Sequence, residues 1–372
     1  MSNKEEQMKT IIHPSRRTFV QAAVAGALAA AMPLGAQAAD FSGKTIDFVI
    51  PFPVAGGSDV WARFYQPYLT KYLPGNPTVV VKNIPGGGST KGANEFAARA
   101  KPDGLTIFGT SGSTQFPYLL GDTRVRYEYK DWQVVLASPT GGVVFVNSNL
   151  GAKSAADIDV LRKAKLIYGS EGATSLSLVP MLAFRQLDLP VQYVFGMKAR
   201  GGARLAFERG ESNIDYQTTG AYLASVMPMV KAGRAVPLFS WGVLDDDGKL
   251  ARDPTFPDLP HVGEVVASAG GKQTGLEWNT LVAFITAGFA AQKFVVLPKG
   301  TPKDIVAAYG EAFRKAQSDP DYLARKDKVL GLYPQATGKA AETLYRVATE
   351  VSPASRYWVR EHLTQNYNVK FN

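Results

Sequence analysis

The sequence predicts an α/β protein of two lobes, each built on a parallel-rich, doubly wound sheet, with a hinged cleft between them. Three observations carry this. From residue 44 onward, short apolar runs alternate with stretches of helical periodicity. The same order of elements recurs in the second half without any repeat of sequence. The chain has 372 residues, 45% of them hydrophobic, enough for two cores or one large one.

The elements follow in order. "SRRTFVQAAVAGALAAAMPLGAQAAD" reads as an export leader. Arg16 and Arg17 form a twin-arginine pair, Ala22 to Ala31 are mildly apolar, and Ala36 to Ala38 make a small-x-small cleavage site. That apolar stretch is too short and too weakly hydrophobic to anchor in a membrane. Residues 1–38 are therefore expected to be a twin-arginine signal, with a mature periplasmic chain starting near Ala39 or Asp40. "TIDFVI" then reads as a strand, and Val60, Phe64, Tyr68 and Tyr72 form a helical stripe with Ser58 as its cap. Pro67 inside the stripe is expected to kink it. "TVVVK" is a second strand, "STKGANEFAARA" a helix capped by Ser89 or Thr90, and "PDGLTIFG" a turn into a third strand.

The apolar stretch from Trp132 to Gly151 is expected to cross between lobes. Strands are expected in 164–170, 191–196, 212–217 and 235–241, with helices in 175–187, 203–209 and 220–232 between them. Asp245 to Gly263 reads as a loop, with Asp245, Asp246 and Asp247 as a solvated acidic turn. The run from Leu281 to Leu297, interrupted by Gln292 and Lys293, reads as one or two buried strands. Helices follow in 302–317, capped by Thr301 with Pro302 in its first turn, and in 339–350. The expected lobes are 40–141 plus 283–372, and 142–282.

Composition narrows the chemistry. With no cysteine there is no disulfide, thiolate site or cysteine nucleophile. The three histidines are His13, His261 and His362, too few and too scattered for a metal centre, and no cofactor is expected. The formal net charge is +9, of which the leader carries two. The basic residues are dispersed without aromatic interleaving, so no nucleic-acid partner is expected. A mild positive field favours approach of a small anion.

Three glycine-containing loops follow strands in the first half. In "IPFPVAGGSD", Gly56 and Gly57 precede Ser58 and Asp59 where a helix begins; the turn serves either as a plain connection or as an anion site. Neither GxGxxG nor GxxxxGK[ST] is present, which argues against a nucleotide. "NIPGGGSTKG" places Gly86, Gly87 and Gly88 before Ser89 and Thr90 at a second helix start. Two such loops at one carboxyl edge favour an anion pocket over plain turns. "GTSGSTQ" adds the hydroxyls of Ser111 and Ser113, partly like a GxSxG elbow; an exported serine hydrolase using Ser111 would need His261 or His362. In the second half, "YGSEGATSLS" offers Ser170, Thr174 and Ser175, "YQTTGAY" offers Thr218 and Thr219, and "GMKARGGA" offers Lys198 and Arg200 for a distal acidic group. Each of these also reads as surface or capping chemistry.

"PFPVAGGSDVWAR" resembles the PFxxGGxxDxxAR motif of the solute receptors of tripartite tricarboxylate transporters, also called Bug receptors. "VVVKNIPGGGSTKGANEFAARAKPDGLTIFGTSGS" resembles that family's next block, and the likeness returns in "FPDLPHVGEV" and "LPKGTPKDIVAAY". The resemblance implies a type II-like periplasmic-binding-protein fold. It implies a receptor, not an enzyme, that closes on a small carboxylate and delivers it to the membrane permease subunits of a tripartite transporter. Such a receptor is expected to act as a monomer; a receptor of the same fold serving a sensor kinase is the alternative. In the family, the loops matching 52–59 and 85–92 hold a carboxylate, partly through backbone N–H groups and ordered waters. That adds Phe52 and Val54 to the candidate site. The loops matching 169–175 and 216–219 face it from the other lobe, which adds Gly169. This chain departs from the pattern at Gly86-Gly87-Gly88-Ser89 and at "YVFGMKARGG".

Overall fold

The computed structural model describes residues 39–245 and 249–371, and the chain from Ala39 onward forms one compact unit. The expected leader lies outside the described residues, as do Asp246 and Asp247 of the acidic turn. The strands are β1 (Thr45–Ile50), β2 (Thr78–Asn83), β3 (Thr106–Gly109), β4 (Gln133–Ser138), β5 (Gly142–Asn147), β6 (Leu166–Ser170), β7 (Val191–Phe195), β8 (Ile214–Thr218) and β9 (Ala235–Ser240). The short β10 (Val243–Leu244) and β11 (Leu250–Ala251) pair with each other, and β12 (Lys293–Leu297) comes last. The helices are α1 (Gly57–Tyr72), α2 (Thr90–Arg99), α3 (Gly112–Leu120), α4 (Ile158–Arg162), α5 (Leu178–Gln186) and α6 (Arg200–Glu208). Next come α7 (Thr219–Ala221) and α8 (Met227–Lys231), joined by a π turn, then α9 (Val262–Ser268) and α10 (Gly275–Ile285). Finally come α11 (Lys303–Ala316), α12 (Pro320–Leu330), α13 (Gly338–Val347) and α14 (Pro353–Tyr367).

Two five-stranded sheets result, in the orders β2-β1-β3-β12-β4 and β7-β6-β8-β5-β9. In each, one inner strand runs against its neighbours: β12 is antiparallel to β3 and β4, and β5 is antiparallel to β8 and β9. These are the strands by which the chain passes between the sheets. β5 follows β4 after only Pro139, Thr140 and Gly141. β12 arrives from the second half through α10 and a π turn. The reversal puts the first residues of β12 at the edge where β1, β2 and β3 end, because Val295 pairs with Gly109.

Both faces of each sheet are covered, as their near-continuous apolar strands require. On one face of the first sheet, Phe48, Ile107 and Val295 meet Trp61, Tyr65 and Phe313; on the other, Phe108 and Phe294 meet Phe96 and Tyr345. The second sheet buries Tyr168, Ile214 and Tyr216 against Leu182 and Phe184, and Phe145 against Phe207 and Tyr222. Val359 and Leu363 of α14 join this second core, although residues beyond 283 are expected from element order to sit with the first sheet. The Tyr367 ring closes edge-on over Tyr193 and Phe195 of the edge strand β7.

Several local expectations are corrected. The run 281–297 is not all strand: its first part continues α10 into a π turn, and only Lys293–Leu297 pairs in a sheet. An apolar run buried on every side carries no period that separates helix from strand. α1 runs unbroken through Pro67, whose ring is exposed, so water can satisfy the carbonyl it leaves free. Ser58 is not the cap of α1: the N-cap is Gly56, and no side chain bonds there. Ser89 holds the N-cap position of α2, but at a φ of 107° its side chain makes no capping bond, and the Thr90 hydroxyl donates back to the Gly87 carbonyl. Helix α11 starts one residue after Pro302, with the Thr301 hydroxyl donating to the Pro298 carbonyl.

Candidate functional site

The carboxyl edges of the two sheets face each other across a cleft, and three adjoining chambers fill it. The middle one, about 50 Å³, lies among Gly56, Gly57, Ser58, Ser111, Arg200 and Thr218, with Phe52 and Ser113 also in its wall. An outer chamber of about 530 Å³ is bounded by Gly86, Gly87, Gly88, Ser89 and Lys198 and shares Phe52 and Glu171 with the middle one. An inner chamber of about 240 Å³ shares Gly56, Gly57, Thr218 and Lys293 with the middle one and extends to Trp61, Arg204 and Lys328.

The middle chamber is opened by the start of α1. Gly56 caps this helix with backbone alone, so its first N–H groups have no side-chain acceptor. Across the cleft, a Cβ on Gly57 would meet the Thr218 hydroxyl at 3.4 Å and Ala221 at 4.0 Å, so side-chain absence keeps the passage open. Asp59 secures the loop from behind. It is 1% exposed, and its carboxylate accepts from Ala55 N–H at 2.8 Å, from Asn83 Nδ2 at 3.0 Å and from Arg63 Nε at 3.0 Å. Burial pushes its pKa up, but Arg63, the Ala55 N–H and Asn83 outweigh that and hold it below the ordinary value.

Ser113, Asp122 and Arg124 lock onto residues 171–176 of the other lobe beside this opening. The Ser113 hydroxyl donates to Glu171 at 3.1 Å and accepts from Leu176 N–H at 3.1 Å. Burial raises the Glu171 pKa, and Arg200 and Ser113 pull it partly back. Thr174 donates to Asp122 at 2.7 Å and accepts from Arg124 at 2.9 Å. Arg200 is held by its own lobe: it pairs with Asp215, donates to the Gly169 and Tyr216 carbonyls, and lies over the Tyr216 ring. Its buried Nε has no partner among the described residues.

Several expected site residues lie off the cleft. Val54 points out, 65% exposed. The Asp59 carboxylate faces the loop it ties down, as above. Thr90 turns to Gly87, Ser170 accepts from Gly172 N–H, and Ser175 donates to the Gly172 carbonyl. Gly169 contributes its carbonyl to Arg200, and Thr219 is fully buried against Tyr333 at 2.8 Å. Thr174 is part of the lobe-to-lobe lock and lines no chamber. These hydroxyls follow strands as expected, but each is spent on its own turn or on an inter-lobe contact.

Ser111 is an N-cap, accepting from Ser113 N–H, with Thr114 accepting from Ser111 N–H in return. His261 caps α9 and His362 stacks on Trp358; neither lines the middle chamber with Ser111, so nothing in the described residues assembles a serine triad.

Glu171, Gln217, Gln292 and Lys293 also line the cleft and are not among the expected residues. Gln292 is 2% exposed and its buried Oε1 is unpartnered. Lys293 is 7% exposed, and burial alone lowers its pKa to about 8. No hydrogen bond or ion pair reaches its ammonium from any described residue. The signal for both was visible as two polar residues interrupting an apolar run. Strand-edge reasoning looks at residues following strands, whereas these stand at the start of a reversed one.

A family model, "Tripartite tricarboxylate transporter family receptor", matches residues 62–336. The Cupriavidus necator "UPF0065 protein in gbd 5'region" is 29% identical over 325 residues, covering 83% of this chain and 86% of that protein. Among solved structures, MatC from Rhodopseudomonas palustris with bound malate is 19% identical with a TM-score of 0.60, covering 87% of this chain and 98% of that one. Another R. palustris protein, with adipate, is 18% identical with a TM-score of 0.64, covering 86% of this chain and 96% of that one. These two share the fold. The chain belongs to the tripartite tricarboxylate transporter receptor family.

Proposed function

We propose that this family member is a periplasmic receptor that captures a small carboxylate in the cleft and presents it to the permease subunits of a tripartite transporter. The observation that carries the reading is the glycine-bounded start of α1. Its uncapped N–H groups open into a chamber closed from the other lobe by Arg200 and Thr218. A carboxylate there accepts from backbone N–H groups and gains from the helix dipole. The Ser111 and Ser113 hydroxyls stand beside it, and the chambers on either side admit the rest of the molecule. The bound malate and adipate of the two structural relatives agree with such a ligand. Residues 40–141 plus 283–372 form one lobe of a hinge and residues 142–282 the other, and residues 1–38 direct export through the twin-arginine route; the receptor works as a monomer.

Closure couples binding to delivery. Ligand contacts made from both lobes favour the closed form over the open one, and a permease can recognise that form. Among the described residues no helix is long and apolar enough to cross a membrane.

Thermal-shift and calorimetric measurements with malate, adipate, citrate and benzoate test the reading. At least one acid should raise the melting temperature; saturation at a hundred times Kd adds about 2.7 kcal/mol. Gly57→Leu should abolish that shift while leaving the unliganded melt intact, since its side chain projects toward Thr218 and Ala221. No shift with any of the four acids, or full binding by Gly57→Leu, sinks it.

A further inference from the structure

Lys293 lies in the wall shared by the middle and inner chambers, together with Gly56 and Gly57 at the start of α1. Its strand is otherwise Phe294, Val295, Val296 and Leu297, all buried. A charge placed there without a partner is costly to fold around, so it needs a compensating anion or it surrenders its proton. Neither sheet neighbour of β12 offers an acid: β3 and β4 carry no titratable side chain in the paired segment. From α1, Asp59 is occupied by Arg63, Asn83 and Ala55. From the other lobe, Glu171 is engaged by Ser113, Arg200 by Asp215 and Arg204 by Glu208. From α12, Lys328 faces the inner chamber and adds positive charge. The inner chamber has Lys293, Arg204 and Lys328 in its wall and no carboxylate.

We infer that Lys293 is a specificity-determining residue that pairs directly with the acidic group of the ligand, next to the α1 N–H groups. This rests on the carboxylate reading above and sharpens it: the family resemblance supplies backbone N–H groups and waters, whereas here a full positive charge is added. The same contact excludes neutral isosteres, because an amide or ester would leave the ammonium buried and unpaired. Binding then requires the protonated lysine. Burial brings its pKa to about 8, so capture should weaken as the pH rises above that value, while the ligand carboxylate stays ionised throughout.

The test uses the mature protein, Lys293→Met and Lys293→Arg, with calorimetry against malate, adipate, citrate and benzoate between pH 6 and 9.5. For each acid that binds the wild type, Lys293→Met should lose at least about thirtyfold in affinity, and Lys293→Arg should recover much of it. Wild-type affinity should fall by about tenfold per pH unit above the lysine pKa, and the Met variant should lack that slope. Without ligand the Met variant should melt at or above the wild-type temperature, because it no longer buries an unpaired charge. Equal binding by wild type and Lys293→Met, or a flat wild-type profile to pH 9.5, overturns the role of Lys293 and leaves the carboxylate reading standing. Absence of binding by the wild type to all four acids overturns both.

Discussion

The Asp59 carboxylate collects donors from Ala55, Arg63 and Asn83, and through Asn83 it is linked to the Phe52 carbonyl. One buried side chain thus sets the shape of the loop that opens the cleft. In the motif PFPVAGGSD this carboxylate faces the loop it ties down. Removing its charge should therefore act on stability first. Asp59→Asn is expected to cost about 2 to 3 kcal/mol in urea unfolding at pH 7. The sign of the pH effect follows from its lowered pKa. The stabilisation is whole above the ordinary value of 3.8 and is lost as the pH falls through the lower folded value. The Asp59→Asn variant should lack that part of the acid slope; identical acid profiles would show that Asp59 is not the group responsible. The loop glycines and this aspartate were legible in the sequence because turns and first-turn acids are local. The roles of Thr174 and Ser170 were not, because whether a hydroxyl faces a cleft or its own turn depends on rotamers set by distant neighbours.

The crossover from β4 to β5 is tightly packed at Gly141. A Cβ on Gly141 would lie 2.0 Å from Asp253 Oδ2 and 2.3 Å from the Tyr333 hydroxyl. Tyr333 donates to Asp253 at 2.6 Å and meets the Thr219 hydroxyl at 2.8 Å, so one network joins the crossover, β8's exit and the loop after α12. Gly141→Ala must displace that network and should lower stability by about 1 to 3 kcal/mol, read as a shift in the urea midpoint without a change in slope. A midpoint equal to wild type would mean the network relaxes freely. At this scale most helices and strands were legible from periodicity. The failures fall where periodicity is silent: the all-round apolar run before β12 and the cap of α1, where glycine and backbone replace the expected serine.

The lobes meet in a closed arrangement held by Ser113 with Glu171 and by Asp122 with Thr174 and Arg124. Closure and binding share one equilibrium, so weakening a lobe-to-lobe contact should open the unliganded protein. Thr174→Val removes the hydroxyl between Asp122 and Arg124 at nearly constant volume. Small-angle scattering of the unliganded variant should give a larger radius of gyration than wild type, and saturating ligand should abolish the difference. Equal radii without ligand would assign the lock to other contacts. The loss of the two hydrogen bonds this hydroxyl makes, about 2 kcal/mol together, should also weaken apparent affinity by up to roughly thirtyfold.

By itself the sequence determined the alternation of strand and helix, the glycine turns after β1 and β2, and hence the edge to which the proposed anion site is assigned. Those features rest on interactions within a few residues, and a linear pattern records them. Only the tertiary structure decided that β12 enters the first sheet reversed, which carries Gln292 and Lys293 to that same edge. It likewise decided that Asp59, Thr90, Ser170 and Thr219 turn inward, away from the chambers. Strand direction comes from pairings across more than a hundred residues, and no local period encodes which of two buried polar residues will find a partner and which will be left facing the cleft.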